Sequence, residues 1–318
     1  MSKNFTLTGA SGYIAPRHLK AIKETGNELI AALDPNDSVG IIDSFFESCP
    51  FFTEFERFDR YLEKLHRQDK SRKVDYVSIC SPNYLHDAHA RFAMRIGADA
   101  ICEKPLVLNP WNIDALQEIE QENNQKIYTV LQLRVHPAII ELKKTIEQEK
   151  SHKRRQINLT YITSRGPWYL VSWKGKLDQS GGLATNIGIH FFDMLMWLFG
   201  DMKSSEVHIS EPTKTGGFLE LENADIKWFL SIDKNDLPQE ALEKQQRTFR
   251  SITIDEKEIE FSGGFTDLHT LIYQNVLAGK GFGLDEARPS ITVAHNIRNA
   301  KVVGVNDNSH PYLKSKKA

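Results

Sequence analysis

Asn186, His190 and Asp193 stand four and three positions apart in the stretch GGLATNIGIHFFDMLMWLFG, residues 181–200. A helix beginning near Thr185 would bring all three onto one face close to its start. The remaining positions include Ile187, Ile189, Phe191, Phe192, Met194, Leu195, Met196, Trp197 and Leu198, so the helix is apolar nearly all round and belongs in a core. Buried polar groups need partners. A core histidine beside a capping amide would meet that need. So would an imidazole turned toward a cleft, where a pKa near neutrality suits it to take up a proton.

A second reactive group lies in ADAICEKP, residues 98–105. Lys104 is an odd residue for a buried strand, and Pro105 cannot continue a ladder. Either the proline merely ends the strand while Glu103 neutralises Lys104, or the turn fixes a lysine ammonium at the bottom of a cleft.

TLTGASGYIAPRH carries Gly9-x-x-Gly12-x-x-Ala15 between a strand-like run and a helical pattern, where a pyrophosphate-binding turn belongs. Gly9 would permit a sharp exit from the strand, Gly12 a close approach of backbone amides to phosphates, and Ala15 tight helix packing. Ser11, Tyr13 and Ile14 complete the turn. About 20 residues on, Asp34 ends the second strand, the position whose carboxylate typically holds the ribose hydroxyls, with Asn36 just beyond it. ALDPNDS contains no Arg or Lys to receive a 2′-phosphate, so NAD is expected over NADP. Two further strand ends face the same edge. In CSPNYLHDAHA, Ser81, Pro82 and Asn83 cap a helix whose first turns carry His86, and in the other Glu103 precedes Lys104. His86 and His89 read as a helix-surface pair, because no carboxylate or thiolate pattern accompanies them, and no metal site is expected.

These groups need a scaffold, and the first 130 or so residues supply its pattern. FTLTG, ELIAALD, DYVSICSP, ADAICEKP and KIYTVLQL read as strands. They alternate with the helical stretches APRHLKAIKETG, FDRYLEKLHRQ, HDAHARFAMRIG and NIDALQEIEQEN, which argues for a doubly wound parallel sheet. After residue 155, QINLTYITSR, EVHISEP, GFLELEN, DIKWFLSID, QRTFRSITID and KEIEFSG alternate as an antiparallel sheet would, with helices near 185–199, 266–279 and 285–300. The expected organisation is a Rossmann domain over 1–133 and an α+β domain with a large, mainly antiparallel open sheet over 134–318, whose last helix can pack back on the first domain.

Composition excludes several roles. Forty basic and 42 acidic residues leave a formal charge of −2. The only basic concentrations, Lys150 with His152, Lys153, Arg154 and Arg155, and Lys314 with Lys316 and Lys317, read as solvated loop and tail, so nucleic acid is not an expected partner. Cys49, Cys80 and Cys102 form no CxxC spacing. The first ten residues leave no room for a signal peptide and no apolar stretch approaches a span, so a cytoplasmic protein without membrane association is expected.

Taken in order, the glycine turn, SPNYLH, EKP and the later GG…N.G.H..D resemble the Gfo/Idh/MocA family of NAD(P)-dependent sugar oxidoreductases, over roughly residues 5–300. The resemblance implies a Rossmann domain followed by a domain on a large open sheet, through which members often associate, hence a homo-oligomer with a tetramer favoured. It also implies that Lys104 and His190 are catalytic, with Asp193 near His190. Many members carry an acid where this chain has Asn186. An amide cannot take a proton, so proton transfer would rest on His190, with Lys104 organising the site.

GYIAPRH, YITSRGPWYLVSWKG and GGLATNIGIHFFDML are similar to the WlbA/WbpB-type branch of that family. That likeness implies NAD-dependent oxidation of the 3-hydroxyl of UDP-N-acetylglucosaminuronic acid for bacterial O-antigen and lipopolysaccharide sugars. In some relatives a 2-oxo acid is thought to reoxidise NADH in place. The residues agree in one respect: SRGPWYLVSWKG gathers Ser164, Arg165, Tyr169, Ser172, Trp173 and Lys174 on one link. Arg165 and Lys174 suit a carboxylate or diphosphate, and the aromatics suit a sugar or uracil face. Asn186, His190 and Asp193 would complete the sugar site. The alternatives are an ordinary loop at this link, another sugar or inositol dehydrogenase of the family, or a non-catalytic regulator that binds NAD and a sugar.

Overall fold

The structure is a computed structural model and describes residues 2–68, 70–149, 153–259 and 265–314. The chain divides into two compact units, Met1–Val135 with Thr266–Arg288, and His136–Phe265 with Pro289–Ala318.

In the first unit, β1 (Asn4–Thr8), β2 (Glu28–Leu33), β3 (Phe51–Phe52), β4 (Tyr76–Ile79), β5 (Asp99–Cys102) and β6 (Ile127–Thr129) form a six-stranded sheet ordered β3-β2-β1-β4-β5-β6. Every neighbouring pair is parallel. The intervening helices are α1 (Ala15–Glu24), α2 (Phe55–Gln68), α3 (His86–Arg95) and α4 (Trp111–Asn123). Phe5, Leu7, Val77, Ile79 and Ile101 are fully buried, as strands covered on both faces require. The order reverses between β1 and β4, and in such sheets ligands bind beyond the carboxyl ends at that point. The helix Leu268–Leu277 belongs to this unit, its Tyr273 ring stacked 5.7 Å from Phe5.

Two elements differ from expectation. KIYTVLQL is strand only to Thr129, and Gln132–Val135 turns as a 3₁₀ helix. β6 is an edge strand whose strand partner is β5, and on its other side the Thr129 amide donates to the Phe282 carbonyl at 2.8 Å, outside any strand. β3 was not foreseen, because two residues are too few to show alternation.

The second unit carries β7 (Arg155–Thr163), β8 (Met202–Ser210), β9 (Lys214–Leu221), β10 (Ala224–Ser231), β11 (Thr248–Ile254) and β12 (Lys257–Glu258), ordered β12-β11-β7-β10-β9-β8. The sheet is mainly antiparallel, but its central pair, β7 with β10, is parallel. A parallel pair needs a crossover, and the chain between β7 and β10 contains the helix Ile189–Phe199. That helix lies on the sheet through Phe192 edge-on to Trp228, centroids 5.5 Å apart, and Phe191 against Tyr161 at 4.8 Å. A further helix, α5 (Pro137–Gln148), precedes β7 and was also not foreseen.

Two expectations about solvation are corrected here. Arg154 pairs with Glu220 and Asp225, and Arg155 with Glu149 and Asp255, so both are half-buried structural cations at the start of β7. Lys150, His152, Lys316 and Lys317 lie outside the described residues. Leu177–Phe199 is, contrary to expectation, long and apolar enough by composition to cross a bilayer, but 72% of its apolar 18-residue stretch is buried inside the fold. It reads as the core helix of the second unit.

Candidate active site

At the switch point, the chain leaves β1 through Gly9 at φ +83°. A Cβ there would lie 2.5 Å from the carbonyl carbon and oxygen of Cys80 and 2.6 Å from the amide of Ser81. A Cβ on Gly12 would lie 3.0 Å from the Gly9 carbonyl oxygen. At both positions backbone fills the space a side chain would take, so only glycine lets the turn pack this closely against the end of β4. The turn is tied to β2, since the amides of Gly9 and Ala10 both donate to the Leu33 carbonyl, at 2.8 and 3.2 Å. Asp34 completes the tie, accepting the Ser11 amide on Oδ2 and the Asn36 amide on Oδ1, each at 2.9 Å. Each carboxylate oxygen keeps further acceptor capacity, which suits vicinal ribose hydroxyls. The first turn of α1 carries no acid to repel phosphate, Tyr13 is 91% exposed, and Ser11 and Ile14 are half-buried. These residues fit a dinucleotide.

The neighbouring strand ends are tighter. His86 and His89 are buried, not on the helix surface, because positions 86, 89, 90 and 93 form the face of α3 turned to the interior. His89 Nδ1 meets the Ser81 hydroxyl at 2.9 Å, and its ring stacks on Phe55. Burial lowers its pKa to about 4, with His86 adding to the effect. His86 lies between two carbonyl oxygens, Nδ1 2.6 Å from that of Pro105 and Nε2 2.8 Å from that of Ser81. Burial also lowers the pKa of His86, and a neutral ring can donate to only one of the two. Ser81 and Asn83 are buried, and Lys104 is half-buried at the end of β5.

Glu103 faces inward. Its Oε1 accepts from His18 Nε2 at 3.0 Å and from His269 Nε2 at 2.9 Å, and its Oε2 lies 3.2 Å from the backbone amide of Lys104. Burial would raise the carboxyl, but the two imidazole bonds outweigh it and hold it well below the ordinary carboxylate range. His18 is lowered by burial despite its bond to Glu103, so the pair reads as a carboxylate beside a neutral imidazole.

In the second unit the helix expected from Thr185 begins as a π turn over Ala184–Gly188 and becomes α over Ile189–Phe199. π turns recur at functional sites. His190 and Asp193 keep their i, i+3 relation on the α portion, the former half-buried and the latter 3% exposed. Asn186, on the π turn, donates from Nδ2 to the Tyr169 hydroxyl at 2.7 Å. Tyr169 is itself 2% exposed among Leu183, Ile187 and Ile232, so it supports the helix start from beneath. Burial raises its phenol and Asn186 partly opposes that.

The 164–180 link folds into short turns. Ser164 donates its amide to Arg247 and Arg165 to Ile232, which fixes the base of the link to β11 and β10. Arg165 is exposed, Lys174 and Trp173 are half-buried, and Trp168 is exposed. Lys174 Nζ sits 4.2 Å over the Trp173 ring and 5.8 Å from that of Trp168. Its pKa is lowered by burial and by nearby Arg165. A lysine over two indoles with a second cation nearby would suit an anion carrying a flat ring. The tryptophans are thus more open than a plain structural loop would have them.

Residues 3–131 match the Gfo/Idh/MocA oxidoreductase model for the NAD-binding Rossmann fold, and 143–225 match the C-terminal alpha/beta domain of the same family. The chain belongs to the Gfo/Idh/MocA oxidoreductase family. It is 53% identical to the WlbA (WbpB) dehydrogenase from Thermus thermophilus in complex with NAD and alpha-ketoglutarate, with TM-score 0.94 over 98% of this chain and 100% of that one. The same enzyme in complex with NAD and UDP-GlcNAcA gives 52% identity and TM-score 0.93 over the same shares. Among curated relatives, the inositol 2-dehydrogenase of Rhizobium meliloti (strain 1021) is 26% identical over 203 residues, 63% of this chain and 56% of that protein. The chain spans about half the length of the curated relatives it matches.

Family membership makes the first unit an NAD-binding Rossmann domain. Residues of its polar interior missed from sequence include His18, Ser78, His269 and Tyr273. His18 falls in the buried stripe of α1 with Ala15, Leu19 and Ile22, and His269 and Tyr273 are one turn apart on the buried face of their helix. Polar residues in an apolar stripe were the available signal.

Proposed function

We propose that this chain oxidises the 3-hydroxyl of UDP-N-acetylglucosaminuronic acid to the 3-keto sugar with NAD as acceptor, in the synthesis of bacterial O-antigen sugars. The observation that carries the reading is 52% identity, over 98% of this chain, to a dehydrogenase held with NAD and UDP-GlcNAcA. Lys104 and His190 are both present, which a sensor without chemistry would not need.

When bound, NAD⁺ supplies the hydride acceptor, and the rest is done by side chains. His190 takes the proton of the 3-hydroxyl, its imidazole oriented and supported by Asp193 one turn along the helix. Lys104 donates to the same oxygen and stabilises its developing charge. Asn186 contacts the sugar, and Arg165 and Lys174 hold the carboxylate or diphosphate while Trp173 faces the ring. Glycines 9 and 12, with Ser11, Asp34, Asn36, Ser81 and Asn83, hold the dinucleotide. A 2-oxo acid is a second substrate that returns the cofactor to its oxidised form, a reading favoured by alpha-ketoglutarate in the Thermus thermophilus complex. The enzyme acts in the cytoplasm as a homo-oligomer, with a tetramer favoured.

The test is incubation of the purified chain with NAD⁺ and a panel of UDP-sugars, with and without 2-oxoglutarate, followed by mass analysis. Lys104→Ala and His190→Asn should each lower kcat by about 100-fold while NAD binding survives. Preference for inositol or a free sugar over every UDP-sugar would overturn the assignment.

A further inference from the structure

We propose that Glu103, clamped by His18 and His269, is a positioning residue that holds the turn bearing Lys104; the inference rests on the role given to Lys104 above. The backbone of Glu103 is fixed first, since its amide donates to the Ile79 carbonyl at 2.9 Å and so continues the β4–β5 ladder. Its side chain then folds back, and Oε2 lies 3.2 Å from the amide of the next residue, Lys104. On the far side, Oε1 is the common acceptor of two imidazoles, whose rings meet edge to face at 4.9 Å. The carboxylate can neither rotate nor withdraw without breaking these contacts.

The clamp extends two steps further. The Ser78 hydroxyl lies 2.6 Å from the Tyr273 hydroxyl, which lies 2.7 Å from His18 Nδ1. One proton arrangement fills every contact. Ser78 donates to Tyr273, Tyr273 donates to His18 Nδ1, and both Nε2–H groups donate to Glu103. This tautomer of His18 is the one that presents N–H to the carboxylate. His18, Ser78 and Tyr273 are fully buried, and Glu103 and His269 are 8% and 3% exposed. Apolar residues would fill such a space with no desolvation cost, so a buried ionic network is poorly explained by stability alone. It connects β4, β5, α1 and the helix Leu268–Leu277 to one turn, and that turn carries the lysine.

His18, Glu103 and His269 bring ligand atoms within 4.8 Å of one another, and two imidazoles with a carboxylate are also a zinc donor set. The observed nitrogen–oxygen separations are ordinary hydrogen-bond lengths onto one shared oxygen, which the proton arrangement above accounts for.

The test uses the full chain with NAD⁺ and UDP-N-acetylglucosaminuronic acid. Glu103→Gln and His18→Leu should each lower kcat by about 10-fold or more, with the Kd for NAD changed by less than about threefold, as expected when a reacting group is misplaced. His18→Gln, which keeps a donor near the Nε2 position, should recover part of the loss and so separates positioning from folding. In a Lys104→Ala background, Glu103→Gln should lower kcat by no more than about twofold further, because the two act through one group. Multiplicative effects in the double variant, or normal kcat in Glu103→Gln while Lys104→Ala is impaired, would overturn the clamp and leave the function standing. Normal turnover in Lys104→Ala would overturn both. Stoichiometric zinc in the native chain that Glu103→Gln loses would overturn the hydrogen-bonded arrangement.

Discussion

Gly9→Ala is the most sharply defined perturbation of the dinucleotide turn. The new Cβ would sit 2.5 Å from the Cys80 carbonyl and 2.6 Å from the Ser81 amide, and both obstacles are main chain at the end of β4. A flexible side chain could swing aside, but a strand end held by the 2.8 Å hydrogen bond that the Cys80 amide donates to the Thr8 carbonyl cannot. The residue would also have to hold φ near +83°, which alone costs a non-glycine residue roughly 1–2 kcal/mol. Overpacking adds about 1–3 kcal/mol, so relief must come from displacing the turn itself. Displacement moves the whole turn that would face the diphosphate, together with its ties to Leu33 and Asp34. If about 2 kcal/mol of this appears in binding, the Kd for NAD rises about 30-fold. Calorimetric titration of NAD into the variant measures it, with urea unfolding as the control for stability. An alanine at position 9 with unchanged affinity and unchanged unfolding midpoint would show that this turn does not lie against the end of β4 as described.

Three further outcomes follow from the same geometry. Asp34→Ala should narrow the preference for NAD⁺ over NADP⁺ in parallel titrations, because the carboxylate that would repel a 2′-phosphate is gone; equal binding of both by the unaltered chain would refute the placement. Arg165→Ala should raise the KM for the UDP-sugar by about 10-fold with kcat little changed, the scale of a lost charged hydrogen bond; an unchanged KM would make the residue an ordinary surface arginine. His89, lowered by burial from 6.5 to about 4, stays neutral in the fold where the unfolded chain would protonate it. Its contribution, up to about 3 kcal/mol, is therefore present above pH 6.5 and lost as pH falls toward 4. Urea midpoints at several pH values should decline across that window, and less steeply in His89→Leu. A decline of equal slope in the variant would assign the effect to other groups.

Much of this was legible in the chain because the signals are local. Gly9, Gly12 and Asp34 sit at fixed offsets along one strand–turn–helix–strand unit, and the alternation of apolar runs with helical patterns dictates a parallel sheet. The parallel pairing of β7 with β10 was not legible, since strand periodicity reports which face is buried and is silent about the neighbour. His86 and His89 were misread because spacing places a pair on one face without saying which way that face turns. The Glu103 clamp was hidden for a different reason: His18 and Tyr273 are 255 positions apart, and only the return of residues 266–288 to the first unit brings them together.

Following the hydrogen that leaves the sugar tests the proposed reaction most directly. UDP-N-acetylglucosaminuronic acid carrying deuterium at C3 is incubated with the enzyme and NAD⁺, and the products are resolved by mass. The label should appear in the reduced dinucleotide and, when 2-oxoglutarate is supplied, in 2-hydroxyglutarate, with a 3-keto sugar nucleotide free of deuterium. Retention of deuterium in the sugar, or oxidation at another carbon, would contradict the proposed reaction.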